Sequence, residues 1–348
     1  MKHWVHHYTL QPGPDPVRAA RAPRHGALLK VEFDDRSVGY ADLHPWTEFG
    51  HAPLDVHLAS LASGQPTTLA NTALRHARTD AAARRAGLSL FDGLPPARSH
   101  ALFTGWTAAP CAAFGRCAAE GFESVKLKVG KSPAHEAGAL DALADFPLRW
   151  RLDANASFTT VESVCGFLAK LSPQIRRNIE FIEDPCPYDS TAWSALSEKE
   201  KIPLALDWEI PSSAARTTLP HPPATGPSRT AVPATPPWPG AQLVIIKPAS
   251  QDAFPLALAA AHAGMEIVVT HSMDHPLGRA VALWTSMRLR QRHGDIVRDG
   301  GLQGAALYQP DEFSAQLEET GPETAPPTGT GFGFDPLLQA LQWREHGS

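Results

Sequence analysis

Short apolar runs recur along the middle of the chain, and the segments between them could form helices. Each run has the length of a β-strand, and strands alternating with helices are typical of a parallel β/α barrel. The runs are Ala101–Trp106, Ser124–Val129, Leu148–Ala154, Ile179–Asp184, Pro203–Trp208, Gln242–Pro248 and Glu266–His271, with a weaker one near Gly300-Gly301-Leu302. The pattern predicts an α/β protein with a barrel of seven or eight strands over residues 101–304. An open doubly wound sheet is the alternative, but no Gly-x-Gly-x-x-Gly follows the first run.

The N-terminal part shows a different pattern, in which three candidate strands precede one long helix. The strands are Trp4–Leu10, Ala27–Phe33 and Val38–Leu43, and the helix is Ala70–Ala86. Loops are predicted after the first and third strands, at Gln11–Arg24 and His44–His51. These segments predict an α+β capping domain over residues 1–100, completed by about 305–348, which we expect to pack back against it.

One spacer of the barrel pattern is irregular. About 211–240 contains nine prolines, each of which lacks an amide donor and cannot continue a helix. We predict a Pro-rich insertion that is mostly surface loop, and a segment that binds an aromatic groove is the alternative.

Composition restricts the class of protein further. The 348 residues are 43% hydrophobic, and the net charge of −5 without a basic block argues against nucleic acid as an obligate partner. No apolar run could cross a bilayer and the N-terminus lacks the apolar core of a signal peptide, so we expect no membrane partner and a cytoplasmic location. The four scattered cysteines indicate neither disulfides nor a thiolate metal site. We interpret His3, His6 and His7 as residues of an exposed edge strand, with a metal site as the alternative.

The run Ser124–Val129 places two lysines on one face of a strand. Lys126 and Lys128 point away from the side of the apolar residues, since side chains alternate along a strand. Two ammonium groups would repel each other in a dry core, whereas a polar cavity that contains anions would accommodate them. An exposed strand with both lysines in water is the alternative.

Carboxylates end the next three runs. Asp153, Glu183 and Asp207 would meet at the carboxyl-terminal rim of a barrel, where active sites lie. They would repel one another unless a cation neutralised them, and hard oxygen ligands favour Mg²⁺ over zinc. Lys247 ends the following run, so amines flank the carboxylates on both sides. Such a site suits removal of a proton next to a carboxylate, with a lysine as base and the metal stabilising the developing charge.

With these residues the chain resembles the enolase superfamily, in the branch that has Lys-x-Lys on the second barrel strand. The matching residues are Lys126-Leu127-Lys128, Asp153-Ala154-Asn155, Glu183-Asp184-Pro185, Asp207 and Lys247-Pro248. The resemblance implies a modified TIM barrel, (β/α)7β, with an α+β cap contributed by both chain ends. It also implies Asp153, Glu183 and Asp207 as ligands of Mg²⁺, with Mn²⁺ tolerated.

The roles of the remaining site residues come from the same likeness. Lys128 would be the general base, Lys126 would assist charge balance, and Lys247 would face the base from the opposite side of the substrate. The expected partner is a small carboxylate, and Asn155 and Ser272 are expected to bind it. The Trp, Arg and His content of the loops Gln11–Arg24 and His44–His51, and not the likeness, places Trp46 near the substrate as well.

Within the branch, the chain is most similar to the o-succinylbenzoate synthases. The supporting segments are Ala27–Phe33, Val38–Leu43 and Val268–Gly278. The implied reaction is loss of water from 2-succinyl-6-hydroxy-2,4-cyclohexadiene-1-carboxylate, a menaquinone precursor. An N-succinylamino acid racemase or dipeptide epimerase on the same scaffold is the alternative, although the Asp-x-Asp expected of an epimerase is absent around Asp274. A cycloisomerase, a metal-dependent hydrolase and a non-catalytic barrel are more remote.

The chain departs from the family pattern at two places. Trp208 separates Asp207 from the next acid, so that Glu209 could be the third ligand instead; Asp207 is preferred because it ends the apolar run. His271 and His275 stand where small hydroxyl residues are usual. A satisfied pair at a strand-to-helix turn is the preferred interpretation, with a second metal site as the alternative.

Overall fold

The computed structural model describes residues 1–106, 110–207 and 238–347. By the density of its contacts the chain divides into two compact units. Unit 1 comprises Met1–Gly105, Lys247–Ala253 and Val269–Ser348, and unit 2 comprises Trp106–Ile246 and Phe254–Val268. The domain boundaries expected from the sequence stay a prediction. Most of the Pro-rich segment at about 211–240 lies outside the described residues.

An antiparallel sheet forms the framework of unit 1. Its described strands are, in spatial order, β13 (Arg344–His346), β1 (Lys2–Leu10), β2 (Arg24–Glu32) and β3 (Val38–Leu43). The three N-terminal strands lie within a few residues of the segments predicted for them. Near the C-terminal end of the described residues, β13 pairs with β1.

The histidines of β1 do not lie on an edge strand, so that prediction is wrong. β13 pairs with β1 on the side opposite β2, with His3 beside His346 and Trp4 beside Glu345. His3 is buried, whereas His6 is half-buried and His7 is exposed. The sequence does not predict the pairing, because β13 consists of three polar residues and shows no apolar pattern of a strand.

Two helices cover the core of this sheet. They are α1 (Leu54–Ala62), which the sequence analysis did not predict, and α2 (Thr68–Arg85). The hydroxyl of Thr67 accepts a hydrogen bond from the Ala70 amide and begins α2. Ala70, Ala73, Ala77 and Ala81 share one face of the helix and are buried with the strands, because such small side chains allow close approach.

A parallel sheet flanked by helices forms unit 2. Its described strands follow one another in spatial order: β5 (Ser124–Lys128), β6 (Arg149–Asp153), β7 (Ile179–Glu183), β8 (Leu204–Leu206), β9 (Leu243–Ile246) and β10 (Glu266–Val269). The helices are α3 (Pro110–Ala119), α4 (Pro133–Asp141), α5 (Val161–Leu168), α6 (Pro173–Asn178), α7 (Ser190–Glu200) and α8 (Ala253–His262). Alternate residues of the strands form an apolar cluster of Phe181, Ala205, Leu243, Ile245 and Val268.

The register of this sheet aligns charged residues on neighbouring strands. Lys128 pairs with Asp153 across β5 and β6, and Asp153 pairs with Glu183 across β6 and β7. Because the strands are parallel, these residues end their strands at the same edge of the sheet.

The weak run near Gly300 forms two isolated bridges instead of a strand. Within unit 1, the His100 amide donates to the Gly300 carbonyl, and the Gly301 amide donates to the Val269 carbonyl. This segment therefore runs parallel both to the residues before β4 (Ala101–Phe103) and to the end of β10. A Cβ on Gly300 would come within 2.4 Å of the Val269 oxygen, so only glycine allows the close approach.

The rest of unit 1 follows β10. It contains α9 (Pro276–His293), a short hairpin of β11 (Glu319–Thr320) and β12 (Glu323–Thr324), and α10 (Asp335–Ala340). None of the helices in the described ranges has both the length and the apolar character needed to cross a membrane.

Candidate active site

The two lysines of β5 differ in exposure. Lys126 is buried, so the exposed-strand alternative is wrong for this residue, whereas the side chain of Lys128 is 34% exposed. A buried ammonium needs anionic partners, since burial alone opposes its charge. The adjacent strands supply them.

A network of short ion pairs joins the lysines to two carboxylates. The Lys126 ammonium lies 2.7 Å from both carboxylate oxygens of Glu183 and 2.9 Å from Oδ2 of Asp153. The Lys128 ammonium lies 2.6 Å from the same Asp153 oxygen. The structure thus brings these four residues together at one edge of the parallel sheet.

The network keeps Lys126 and Asp153 charged. Burial alone would lower the pKa of Lys126, but the charges of Asp153 and Glu183 outweigh it and hold the pKa above its usual value. Burial alone would raise the pKa of Asp153, but Lys126 and Lys128 together hold it below its usual range. In this arrangement Lys126 is a fixed cation at neutral pH.

Asp207 belongs to the same electrostatic environment. It follows β8, is buried, and its charge contributes to the raised pKa of Lys126. Its backbone amide donates to the Asp184 side chain at 3.1 Å, which fixes the chain at this point. Glu209, the alternative third ligand, lies outside the described residues.

The donor set fits a hard cation in its chemistry. Oδ1 of Asp153 is buried and accepts no hydrogen bond from any residue that the structure describes, a costly state for a carboxylate oxygen. A cation such as Mg²⁺ prefers ligands of this kind. The described ranges hold no cluster of three or more His, Cys, Asp or Glu side chains already arranged around a metal position. Instead, the Lys126 ammonium contacts two of the expected ligands, so the ligand set stays a prediction.

Lys247 and Asn155 also follow strands. Lys247 follows β9, belongs to unit 1, and is held by a hydrogen bond from its amide to the Gln251 side chain at 2.8 Å. Asn155, after β6 in unit 2, is exposed and has a left-handed backbone with φ of 44°. The roles expected of both residues stay predictions.

Trp46 and Ser272 lie together within unit 1. The indole N–H of Trp46 donates to the Ser272 carbonyl at 2.7 Å, and both residues are buried. The guanidinium of Arg24 stacks 3.7 Å above the Trp46 ring and forms a 2.7 Å ion pair with Glu48. The sequence predicts Trp46 near the substrate, but nothing in it indicates Arg24, which lies at the start of β2.

Backbone groups engage both histidines of the strand-to-helix turn. Nε2 of His271 lies 2.9 Å from the Gln303 carbonyl, and Nδ1 accepts from the Met273 amide at 2.9 Å. Nδ1 of His275 accepts from the Leu277 amide and caps α9. These contacts support the interpretation as a satisfied pair.

Comparison with known proteins identifies the family. The family model "O-succinylbenzoate synthase, N-terminal domain" matches residues 3–83, and "Enolase C-terminal domain-like" matches residues 111–216. The o-succinylbenzoate synthase of Bdellovibrio bacteriovorus is 33% identical over 97% of this chain and 96% of its own length. That of Klebsiella pneumoniae is 26% identical over 90% of this chain and 92% of its own.

Solved structures share the fold. A mandelate racemase/muconate lactonizing enzyme from Roseiflexus sp. superposes with a TM-score of 0.73 at 19% identity, covering 94% of this chain and 96% of that one. A dipeptide epimerase from Cytophaga hutchinsonii, complexed with Mg and the dipeptide D-Ala-L-Val, gives a TM-score of 0.75 at 15% identity, covering 99% of both chains. The prediction of a modified TIM barrel with an α+β cap is confirmed. The chain therefore belongs to the enolase superfamily and, within it, to the o-succinylbenzoate synthase family.

Proposed function

We propose that the protein is a Mg²⁺-dependent o-succinylbenzoate synthase, a carbon–oxygen lyase that dehydrates 2-succinyl-6-hydroxy-2,4-cyclohexadiene-1-carboxylate. Family membership supports the reaction, and the ion-pair network of Lys126, Lys128, Asp153 and Glu183 is the observation that carries the site. The step would belong to menaquinone biosynthesis in the cytoplasm.

The two lysines of β5 take different roles in this proposal. Lys126 is held between two carboxylates and stays protonated, so it balances charge. Lys128 has one close carboxylate partner and a partly exposed side chain, so it is the one able to reach a substrate. It removes the proton next to the substrate carboxylate and returns it to the hydroxyl group as that group leaves as water. The ring becomes aromatic, which makes the elimination favourable.

The remaining groups stabilise charge. Mg²⁺, held by Asp153, Glu183 and Asp207, would supply Lewis-acid stabilisation of the negative charge on the substrate carboxylate. Lys247 is assigned the same electrostatic task from its own side of the substrate. Trp46, Asn155 and Ser272 are assigned to substrate binding.

A direct assay tests the proposal. The purified protein with Mg²⁺ is given the cyclohexadiene carboxylate, and we expect dehydration. Lys128→Ala should lower kcat by at least about 10²-fold, since it removes the general base. Lys131→Ala, which changes an exposed lysine three residues later, is the matched control and should retain the rate. Full activity in a folded Lys128→Ala variant would remove Lys128 as the base.

The second candidate is an N-succinylamino acid racemase or dipeptide epimerase. The fold similarity to a dipeptide epimerase favours it, and Lys128 and Lys247 would then act as opposed bases. Incubation with N-succinyl amino acids in D₂O distinguishes the two reactions. Exchange of the α-proton with racemisation, without dehydration of the cyclohexadiene carboxylate, would replace the synthase assignment.

A further inference from the structure

Two buried carboxyl groups of unit 1, those of Asp42 and Asp274, converge on one glycine. Asp42 lies near the end of β3, and Asp274 lies in the turn between β10 and α9. Oδ2 of each residue lies 2.7 Å from the position that a Cβ of Gly278 would occupy. Gly278 lies in the first turn of α9 and has no side chain, so the two carboxyl groups have room beside it.

The hydrogen bonds of the pair are unequal. Asp42 accepts from the Tyr8 hydroxyl at 2.7 Å and from the His275 amide at 3.1 Å. Asp274 is only 1% exposed, yet both of its carboxyl oxygens lack a hydrogen bond from the residues that the structure describes. A buried carboxylate in that state would be costly, so it requires a donor or a positive charge.

Three of the histidines around the pair are neutral at pH 7. His271 lies 3.5 Å from Asp274, and its Nδ1, which accepts a hydrogen bond from the Met273 amide, is directed to the backbone. Burial lowers the pKa of His44 and of His76 to about 4, and that of His275 to about 3. Within the described ranges, neither carboxylate forms an ion pair with a lysine or an arginine. The titratable groups that face the pair are Tyr8, His44, His76, His271, His275 and Tyr308, with Arg24 and Asp311 behind His44 and His275.

We propose that Asp42 and Asp274 hold one proton between them at neutral pH, and that this acid pair is a positioning device for Trp46 and Ser272. A single proton supplies a donor for Asp274, whose oxygens lack one, and it removes the repulsion between two charges. Burial, reinforced by the Asp274 charge, raises the pKa of Asp42 well above its usual range, whereas burial of Asp274 is outweighed by the neighbouring His271, which lowers the pKa of Asp274, so the retained proton resides on Asp42.

The positioning role follows from where the pair lies in the chain. Trp46 comes four residues after Asp42, and Ser272 comes two residues before Asp274. The proton bond between the acids and the 2.7 Å bond from the Trp46 indole to the Ser272 carbonyl join the same two segments. Loss of the pair should therefore loosen the Trp46 contact. This part rests on the substrate-binding role of Trp46 in the proposed function, whereas the shared proton does not.

Unfolding as a function of pH tests the shared proton without any assay of activity. An aspartate in the unfolded chain releases its proton near pH 4, whereas the folded pair keeps it. The folded state then binds one proton more, so the unfolding constant of the wild type should rise with pH by up to tenfold per unit, relative to Asp42→Asn. Asp42→Asn cannot ionise and should lack this dependence. Asp92→Asn, at an exposed aspartate, is the control and should follow the wild type.

Infrared difference spectra provide the second measurement. The wild type at pH 7 should show the carbonyl stretch of a buried protonated carboxyl group, and Asp42→Asn should lose it. Absence of that band in the wild type, or an unfolding ratio between wild type and Asp42→Asn that does not change with pH, would overturn the shared proton.

Steady-state kinetics test the positioning role. Asp42→Leu, which can neither donate nor accept, should raise KM about tenfold with little change in kcat, and Asp42→Asn should restore KM. Equal kinetics in Asp42→Leu and the wild type would overturn positioning and leave the proton result standing. A wild type that does not dehydrate the substrate, but shows the pH dependence and the infrared band, would reject the proposed function and not the acid pair.

Discussion

The ammonium of Lys126 reaches across β6 to lie 2.7 Å from the carboxylate of Glu183 on β7. On the way it also contacts Asp153, so one buried cation holds two strand ends together electrostatically. Lys126 lies two residues before the end of β5, and its long side chain reaches the edge of the sheet where Asp153 and Glu183 end their strands.

Replacement of Lys126 by a neutral residue should destabilise the folded protein, because buried carboxylates then lose a positive charge. In the presence of a chelator, Lys126→Met should lower the free energy of unfolding by about 3–5 kcal/mol, because the buried Glu183 loses its lysine partner and Asp153 loses one of its two. Urea denaturation measures the change. Added Mg²⁺ should recover part of the loss if Asp153 and Glu183 bind it, by mass action on the folded state.

Two controls accompany this experiment. Lys126→Arg keeps the positive charge and should lose less stability, and Lys170→Met changes an exposed lysine and should lose little. A Lys126→Met variant as stable as the wild type in chelator would contradict the electrostatic role, and an absence of any Mg²⁺ effect would count against the ligand set.

His44 should make the protein less stable in acid. Burial lowers its folded pKa to about 4, whereas an unfolded histidine titrates near pH 6.5. Between these values the unfolded chain binds a proton that the folded chain does not. The contribution of neutral His44 is therefore complete above about pH 6.5, and it is lost as the pH falls towards 4.

Comparison of the wild type with His44→Phe isolates this effect. The stability of the wild type relative to the variant should fall by about 3 kcal/mol between pH 6.5 and 4. Denaturant titrations at half-unit intervals measure the difference. His7→Phe, at an exposed position on β1, should show no such trend. A constant difference between wild type and His44→Phe would mean that His44 titrates normally.

Substitution of Trp46 tests whether this residue contributes to substrate binding. Trp46→Ala removes the ring beneath Arg24 and the donor to the Ser272 carbonyl, and should raise KM about tenfold, or roughly 1.4 kcal/mol of binding. Trp46→Phe retains an aromatic ring and loses only the indole donor, so its KM should lie between the two. Unchanged KM and kcat in Trp46→Ala would count against contact with substrate.

The parallel strands could be predicted almost to the residue because each has a strong apolar signal. The run Ser124–Val129 became β5, Ser124–Lys128, and the run Ile179–Asp184 became β7, Ile179–Glu183. Their register brings the charged strand ends together, so the grouping of Lys126 with Asp153 could be expected as well. The assignment of a metal to these carboxylates is not tested by their positions and stays a prediction.

Contacts between distant segments could not be predicted. Asp42 occurs in a strand pattern and Asp274 in a turn, and nothing local to either indicates that they meet over Gly278. Arg344–His346 contains no apolar residue, so no periodicity marks it as a strand. In both cases tertiary packing places residues whose own neighbourhoods give no signal.

The pairing of β13 with β1 has a consequence for synthesis. During synthesis β1 emerges from the ribosome early, whereas its neighbour β13 is made only after the whole barrel sequence. Throughout elongation, the amides and carbonyls on one side of β1 lack their native partner, which is the condition in which strands associate with other chains. The nascent cap sheet is thus open to aggregation until its last strand emerges from the exit tunnel.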